Sequence, residues 1–389
     1  MTSLLGKIVD VHCHVGLLGD TWPQWGRLSL RFLQSSSYPF FLAYARIDAK
    51  HVTDRVLREA TERVLAESRV DHAVCLALDH VHDPGGTARP EQSTMWVANE
   101  YVLELRRSIG DKVLLGASVH PYARDFEDRV KALVDQGAVL LKWLPSAQDI
   151  DLTSERTMSA LRALAHLGPH GNPLPLLLHA GGEYAVPPAR HDTPSLDFHS
   201  WSSWDRFWNL FRGRRHWRKP DVGRVQASLR AAVEEGAIII LAHCGLPYFS
   251  SGTANDAFEH SDFDAVRGYL ELNAQLPTGG GRFLADMSAF CTPFRQSFFP
   301  RLAKLPREHL LFGSDFPTPV FELSADPKEV WRDFKAVMKG HLDRLVVPQD
   351  NLLDVNLREL QAVFGQDHPM LTNFGRLWEG IRNPATPPV

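Results

Sequence analysis

Short apolar runs recur along the chain, and most are continuous, not alternating with polar residues. They are Lys7–Val11 (KIVDV), Ala73–Leu78 (AVCLAL), Val113–Val119 (VLLGASV), Val139–Leu141 (VLL), Leu174–Leu178 (LPLLL), Ile238–Ala242 (IIILA), Arg282–Met287 (RFLADM) and His309–Phe312 (HLLF). Such runs suit strands covered on both faces, as in a parallel sheet. Between them the apolar spacing turns helical. Val52–Ser68 carries Val56, Leu57, Ala60, Val64 and Leu65 on one face, and Thr94–Ser108, Phe126–Gln136 and Thr153–His166 behave alike. Arg224–Glu235 does too and stops at Gly236, a residue that ends helices readily. Eight strands alternating with helices predict an α/β fold, a (β/α)8 TIM barrel, with a doubly wound sheet as the other arrangement.

A minimal barrel uses about 250 residues, so the 389-residue chain has material to place elsewhere. Three excess segments stand out: an aromatic-rich insertion about 16–50 after the first strand, another about 183–222 after the fifth, and a helical tail about 327–382. No Ser/Gly linker, charge block or internal repeat divides the chain, so a single domain over 1–389 is expected.

Charge and composition then narrow the class. Lys and Arg number 42 against 46 Asp and Glu, a net charge of −4, which does not suit a surface built to coat nucleic acid or anionic lipid. No apolar stretch reaches the ~20 residues of a membrane helix, and the start, MTSLLGKIVDVHCH, lacks the pattern of an export signal. Cys13, Cys75, Cys244 and Cys291 are far apart and read as reduced thiols of a cytoplasmic protein. A small-molecule substrate is the expected partner, with neither nucleic acid nor membrane.

The chemistry gathers where the apolar runs end. His12 and His14 lie in DVHCHV, two apart on a strand, so both project to one face while Cys13 turns toward the helix layer. Lys142 follows the fourth run (LLKWLP, with Trp143 beside it), His179 the fifth (LLLHAGGE), His243 the sixth (ILAHCG) and Asp315 the eighth (LFGSDFP). Strand carboxyl ends are where barrel enzymes place their active sites. Imidazoles and a carboxylate there suit a divalent cation, most readily Zn²⁺, with Mn²⁺ next.

These motifs (VDVHCH, LLHAGG, LAHCG and FGSDFP) resemble the metal-ligand signatures of the amidohydrolase superfamily, in particular its amidohydrolase-2 branch, which also holds decarboxylases. The resemblance runs from about Lys7 to Pro319 and implies a (β/α)8 barrel. It implies that His12, His14 and Asp315 bind a metal. In a mononuclear site His179 would be a further ligand and His243 would handle protons beside the reacting water. In a binuclear site a carbamate on Lys142 would bridge two ions, with His179 and His243 on the second. A lysine buried among apolar strands has a lowered pKa and a reactive amine; an unmodified Lys142 would instead pair with Asp315 or a substrate carboxylate. One or two ions per chain therefore remain open.

On this reading a bound ion would lower the pKa of a water toward about 7 and polarise a carbonyl. Asp315 would accept the proton and return it to the leaving group, with His243 sharing that work. The expected activity is metal-dependent hydrolysis of an amide, lactone or ester of a small organic molecule. The alternatives are non-oxidative decarboxylation of an aromatic or enol acid, a lyase reaction, and a catalytically inactive metal-binding barrel. Trp201, Trp204, Trp208 and Phe211 form a stripe at helical spacing that would wall the substrate or pack on the barrel or a second copy, which makes a homo-oligomer a candidate assembly. Arg212, Arg214, Arg215, Arg218 and Lys219 read as a solvated or subunit-facing loop. Glu183 reads as an acceptor for a ligand imidazole or an exposed acid, and Arg295 as a clamp for a substrate carboxylate or an ion pair. Trp143 is a further candidate for the substrate wall. Asp286 is expected to need a buried hydrogen-bond partner, His120 to line the pocket or to cap and pack, and Thr278–Gly281 (TGGG) to form a flexible turn.

Overall fold

The structure is a computed structural model, described for residues 2–35, 37–179, 185–189, 222–245, 266–277, 280–292, 298–318, 320, 328, 332 and 347–383. Eight strands follow the apolar runs: β1 (Val9–His14), β2 (His72–Leu76), β3 (Val113–Ala117), β4 (Ala138–Trp143), β5 (Leu176–Leu178), β6 (Ile238–Leu241), β7 (Arg282–Asp286) and β8 (Leu310–Leu311). Each pairs in parallel with the next in chain order. The sheet returns on itself past β8. Val11 N–H donates to Phe312 O at 3.0 Å, and His14 N–H to Phe316 O at 2.9 Å. Cys13 and Phe316 form a parallel bridge. The architecture is a (β/α)8 barrel, as the patterning predicts.

The described outer helices include α1 (Asp54–Glu67), α2 (Asn99–Ile109), α3 (Phe126–Asp135), α4 (Glu155–Leu164) and α5 (Val222–Glu234), with α6 (Leu352–Phe364) and α7 (Asn373–Arg382) in the tail. Thr53 and Ser154 cap α1 and α4, their hydroxyls accepting from Val56 and Thr157 N–H, which satisfies donors the helix cannot use internally. One core cluster runs from Leu4 to Ile381.

One local expectation changes. Residues Met95–Val97, assigned to a helix by spacing, form a strand antiparallel to Gly26–Leu28. Trp96 and Val97 favour extended backbone, and α2 begins only after Ala98. In the described part of TGGG, Gly280 N–H donates to Pro277 O at 3.0 Å and closes a turn, and a Cβ on Gly281 would lie 2.1 Å from Val233 O, so glycine lets β7 pass close to the end of α5. The first insertion is pinned, because the buried Asp54 carboxylate accepts from Leu18, Gly19, Thr21 and Trp22 N–H at 2.6 to 3.0 Å. Its Phe32 meets Leu78, Leu144 and Val186, residues following β2, β4 and β5, in a small apolar cluster. All four cysteines are buried, and none is in a disulfide.

Candidate metal centre

β1 brings His12 and His14 to one side, as strand alternation requires, with their Nε2 atoms 3.1 Å apart. Asp315, following β8, places Oδ1 3.4 Å from His12 Nε2 and 3.2 Å from His14 Nε2. Its Oδ2 lies 4.0 Å from His243 Nε2. Lys142 from β4 adds Nζ at 3.1 Å from His12 Nε2. The His12 and His243 rings stack at 4.9 Å, and His179 meets His243 edge-on at 4.9 Å. Residues from five strand ends thus meet at one point. His12, His243 and Asp315 each offer a donor atom within 4.8 Å of the others, so His243 stands closer to the donor set than a flanking role alone requires.

The ring nitrogens facing away from this point are held. His12 Nδ1 lies 2.9 Å from Asp286 Oδ2, with both side chains fully buried. A carboxylate only accepts, so the proton sits on Nδ1 and the Nε2 lone pair faces the centre. The Ser288 hydroxyl donates to Asp286 Oδ1 and accepts from His243 Nδ1 at 2.8 Å, which turns the His243 Nε2 lone pair inward as well. Asp286 Oδ1 also accepts from His243 and Ser288 N–H, each at 3.0 Å. A relay of this kind sets tautomer and ring orientation in metal sites. Asp286 was expected to need a partner; that the partner is His12, and that Ser288 joins it, has no signature in the sequence. Thr318, whose hydroxyl donates to Asp315 Oδ2 at 2.8 Å, was missed for the same reason.

Electrostatics put the groups in a ligand-ready state. Burial pushes His12 down to about 4, and the Lys142 cation adds to this. Burial also holds His243 well below its ordinary value, despite Asp315. Burial would raise Asp315, but His243 and His12 outweigh it and hold the carboxyl well below the usual range. Neutral imidazoles beside an ionised carboxylate are the forms that bind a cation. Just below the centre Asp10 accepts from His12 and Ser314 N–H at 3.0 and 2.9 Å, and burial pushes it up to about 6.

The backbone here adopts conformations that side chains rarely tolerate. Asp315, His243, Cys244 and Ala289 have φ of 58°, 54°, 53° and 59°, in the left-handed region where non-glycine residues are strained. In FGSDFP a Cβ on Gly313 would approach His12 Cβ and Ser288 Cβ at 3.0 Å, so glycine permits the close packing of β8 behind His12.

Other expected site residues lie elsewhere. Trp143 is fully buried, donates from Nε1 to Val119 O at 2.8 Å, and its ring meets Phe126 of α3 at 6.3 Å. It cannot wall a substrate, because alternation sends it to the helix layer opposite Lys142. His120 packs and caps: it is buried, Nε2 faces Gln148 O at 2.8 Å and Nδ1 accepts from Tyr122 N–H at 3.1 Å. Glu183, Trp201, Trp204, Trp208, Phe211, the basic run 212–219 and Arg295 lie outside the described residues.

No family model matches the chain, and no curated protein sequence matches it. Solved structures similar to it include an amidohydrolase from Burkholderia multivorans with bound zinc, 11% identical, covering 92% of this chain and 99% of that one, TM-score 0.46. A probable 2-pyrone-4,6-dicarboxylic acid hydrolase from Acinetobacter baumannii with citric acid bound is 14% identical over 92% and 99%, TM-score 0.42. A 2,6-dihydroxybenzoate decarboxylase from Rhizobium is 12% identical over 93% and 99%, TM-score 0.38.

Proposed function

We propose that this chain is a metal-dependent hydrolase of a small amide, lactone or ester. The observation that carries the reading is Asp315, ionised and buried, set within 3.2 to 4.0 Å of the Nε2 atoms of His12, His14 and His243. The donor set suits one divalent ion, zinc first: nitrogen and carboxylate ligands at the functional end of a barrel, with no thiolate among the gathered groups. In this proposal His12, His14 and Asp315 hold the ion, His179 is a further ligand and His243 handles protons. A bound divalent ion would acidify a water and polarise the substrate carbonyl.

The chain's own groups supply the rest. Asp315 accepts the water's proton and returns it to the leaving group. His243, neutral and oriented through Ser288, offers Nε2 for the same transfer from the other side. Lys142 holds its amine 3.1 Å from His12 Nε2, where a substrate carboxylate can align against it.

The test is elemental analysis of purified protein together with a panel of lactones, amides and esters. About one zinc or manganese per chain is expected, with turnover lost on chelation and regained on adding the ion back. Turnover unchanged in metal-free protein would overturn the proposal. The same donors would serve a decarboxylase, so aromatic acids belong in the panel; carbon dioxide release from them, without hydrolysis of the others, would select that second reading. Two ions per chain, dependent on Lys142 and matched by a carbamate in the intact mass, would replace the one-ion site with a bridged pair.

A further inference from the structure

The aspartate of VDVHCH has no part in the reaction drawn above, yet it is fully buried and touches the backbone beside two of the proposed metal ligands. Asp10 Oδ1 accepts from His12 N–H at 3.0 Å on its own strand. The same oxygen accepts from Ser314 N–H at 2.9 Å, across the seam that closes the barrel. His12 O in turn accepts from Asp315 N–H at 2.7 Å. The backbone of His12 and that of Ser314 and Asp315 therefore form one hydrogen-bonded ring, closed by Asp10 Oδ1.

The seam is irregular at this level, which is why a side chain is needed there. Val11 N–H meets Phe312 O and His14 N–H meets Phe316 O, so three steps along β1 face four along the segment that continues β8. The pairing of β1 with β2 also shifts between Asp10 and Cys13. An extra residue in one strand falls outside the ladder, and its buried backbone groups must find other partners. Ser314 is 1% exposed, and one carboxylate oxygen serves its amide and that of His12 together. Asp315, next in the chain, takes its left-handed φ of 58° at the same irregularity.

Two metal donors hang from this ring, His12 Nε2 and Asp315 Oδ1, 3.4 Å apart. Metal–ligand distances tolerate a spread of only about 0.2 Å. We infer that Asp10 is a positioning residue: its Oδ1 pins β1 to the loop after β8 and fixes His12 and Asp315 at the separation a shared ion needs. The ion rests on the proposed hydrolase; the ring does not. The acceptor matters here, and not the charge. Asp10 Oδ2 has no hydrogen-bond partner among the described residues, so an amide can replace the carboxylate and keep the ring. Asp286, whose two oxygens are both engaged, has no such substitute.

Asp10→Asn and Asp10→Ala remove the same charge, and only asparagine keeps an acceptor. Zinc affinity, measured by competition against a chelator, should stay within about threefold of wild type in Asp10→Asn. It should be at least about tenfold weaker in Asp10→Ala, as for loss of a group that orients ligands. Amide hydrogen exchange in metal-free protein reads the ring directly. In wild type the His12 and Ser314 amides should exchange as slowly as that of Val11, a measurement that stands even if Asp10→Ala does not fold. In Asp10→Ala both should exchange at least about tenfold faster, with Val11 unchanged. Equal zinc affinity in the two variants, unaltered exchange at Ser314 in folded Asp10→Ala, or fast exchange of either amide in wild type would each overturn the proposal. Wild-type protein that holds no zinc would sink the hydrolase reading alone, with the exchange rates still deciding the ring.

Discussion

Replacing Asp286 by asparagine tests the relay behind the centre without touching any proposed ligand. In the wild type one oxygen accepts from His12 Nδ1 at 2.9 Å, and the other accepts from His243 N–H, Ser288 N–H and the Ser288 hydroxyl. An amide has a single acceptor, so it cannot serve both sides. If its oxygen stays with His243 and Ser288, its NH₂ fronts His12 Nδ1 and forces the proton onto Nε2, where it points at the metal position. If it turns over, two buried backbone donors face an NH₂ group instead. Loss of the charge-assisted bond alone costs about 1.5–3 kcal/mol. An orienting carboxylate of this kind is worth about 10–100-fold in metal affinity. Asp286→Asn should therefore bind zinc at least about tenfold more weakly, or about 1.4 kcal/mol, while far-ultraviolet circular dichroism stays native-like. Competition against a chelator of known affinity measures this directly. Zinc affinity within about twofold of wild type, in a folded variant, would refute the claim that Asp286 sets the tautomer of His12.

Four further outcomes follow from the same geometry. His12→Ala and Asp315→Asn should each lower turnover more than about 100-fold, the upper end for losing a mere orienting partner, with circular dichroism unchanged; substantial turnover in either variant would remove these residues from the proposed site. Trp143→Phe should cost about 1–2 kcal/mol in urea unfolding, because the Val119 carbonyl loses its donor, and should leave turnover within about twofold, since the ring lies in the helix layer. The stability of metal-free protein should fall by about 2 kcal/mol between pH 6 and pH 5. His12, His120 and His243 have pKa values lowered by burial, the first two to about 4 and about 3, so below about 6.5 the unfolded chain takes up protons that the fold refuses. Asp10, pushed up to about 6 by burial, opposes this by binding one proton in the folded state; an unchanged urea midpoint over that interval would contradict the balance. Chelation at pH 7 should lower the melting temperature and zinc should restore it, since an ion bound only by the folded state stabilises it by mass action.

The barrel and the placement of its chemistry were largely legible in the order of residues, because both are periodic or local properties. Eight continuous apolar runs separated by helical spacing leave few arrangements for a sheet covered on both sides. The polar residue directly after an apolar strand must lie at that strand's carboxyl end, whatever the other strands do. That is why His12, His14, Lys142, His179, His243 and Asp315 could be singled out together. Alternation also separates Lys142 from Trp143, so placing both in one pocket neglected a rule the chain itself states.

What only the tertiary structure decided is which buried group answers which. The bond from His12 to Asp286 spans 274 residues, and the serine that joins His243 to the same carboxylate is one small hydroxyl among many. The left-handed backbone at His243 and Asp315 is one that His and Asp visit more often than most residues, but only the converging strand ends hold it there. Local sequence sets the spacing of elements and the face each residue takes; the closure of the barrel sets distances between residues far apart in the chain, and those distances determine pKa, tautomer and ligand.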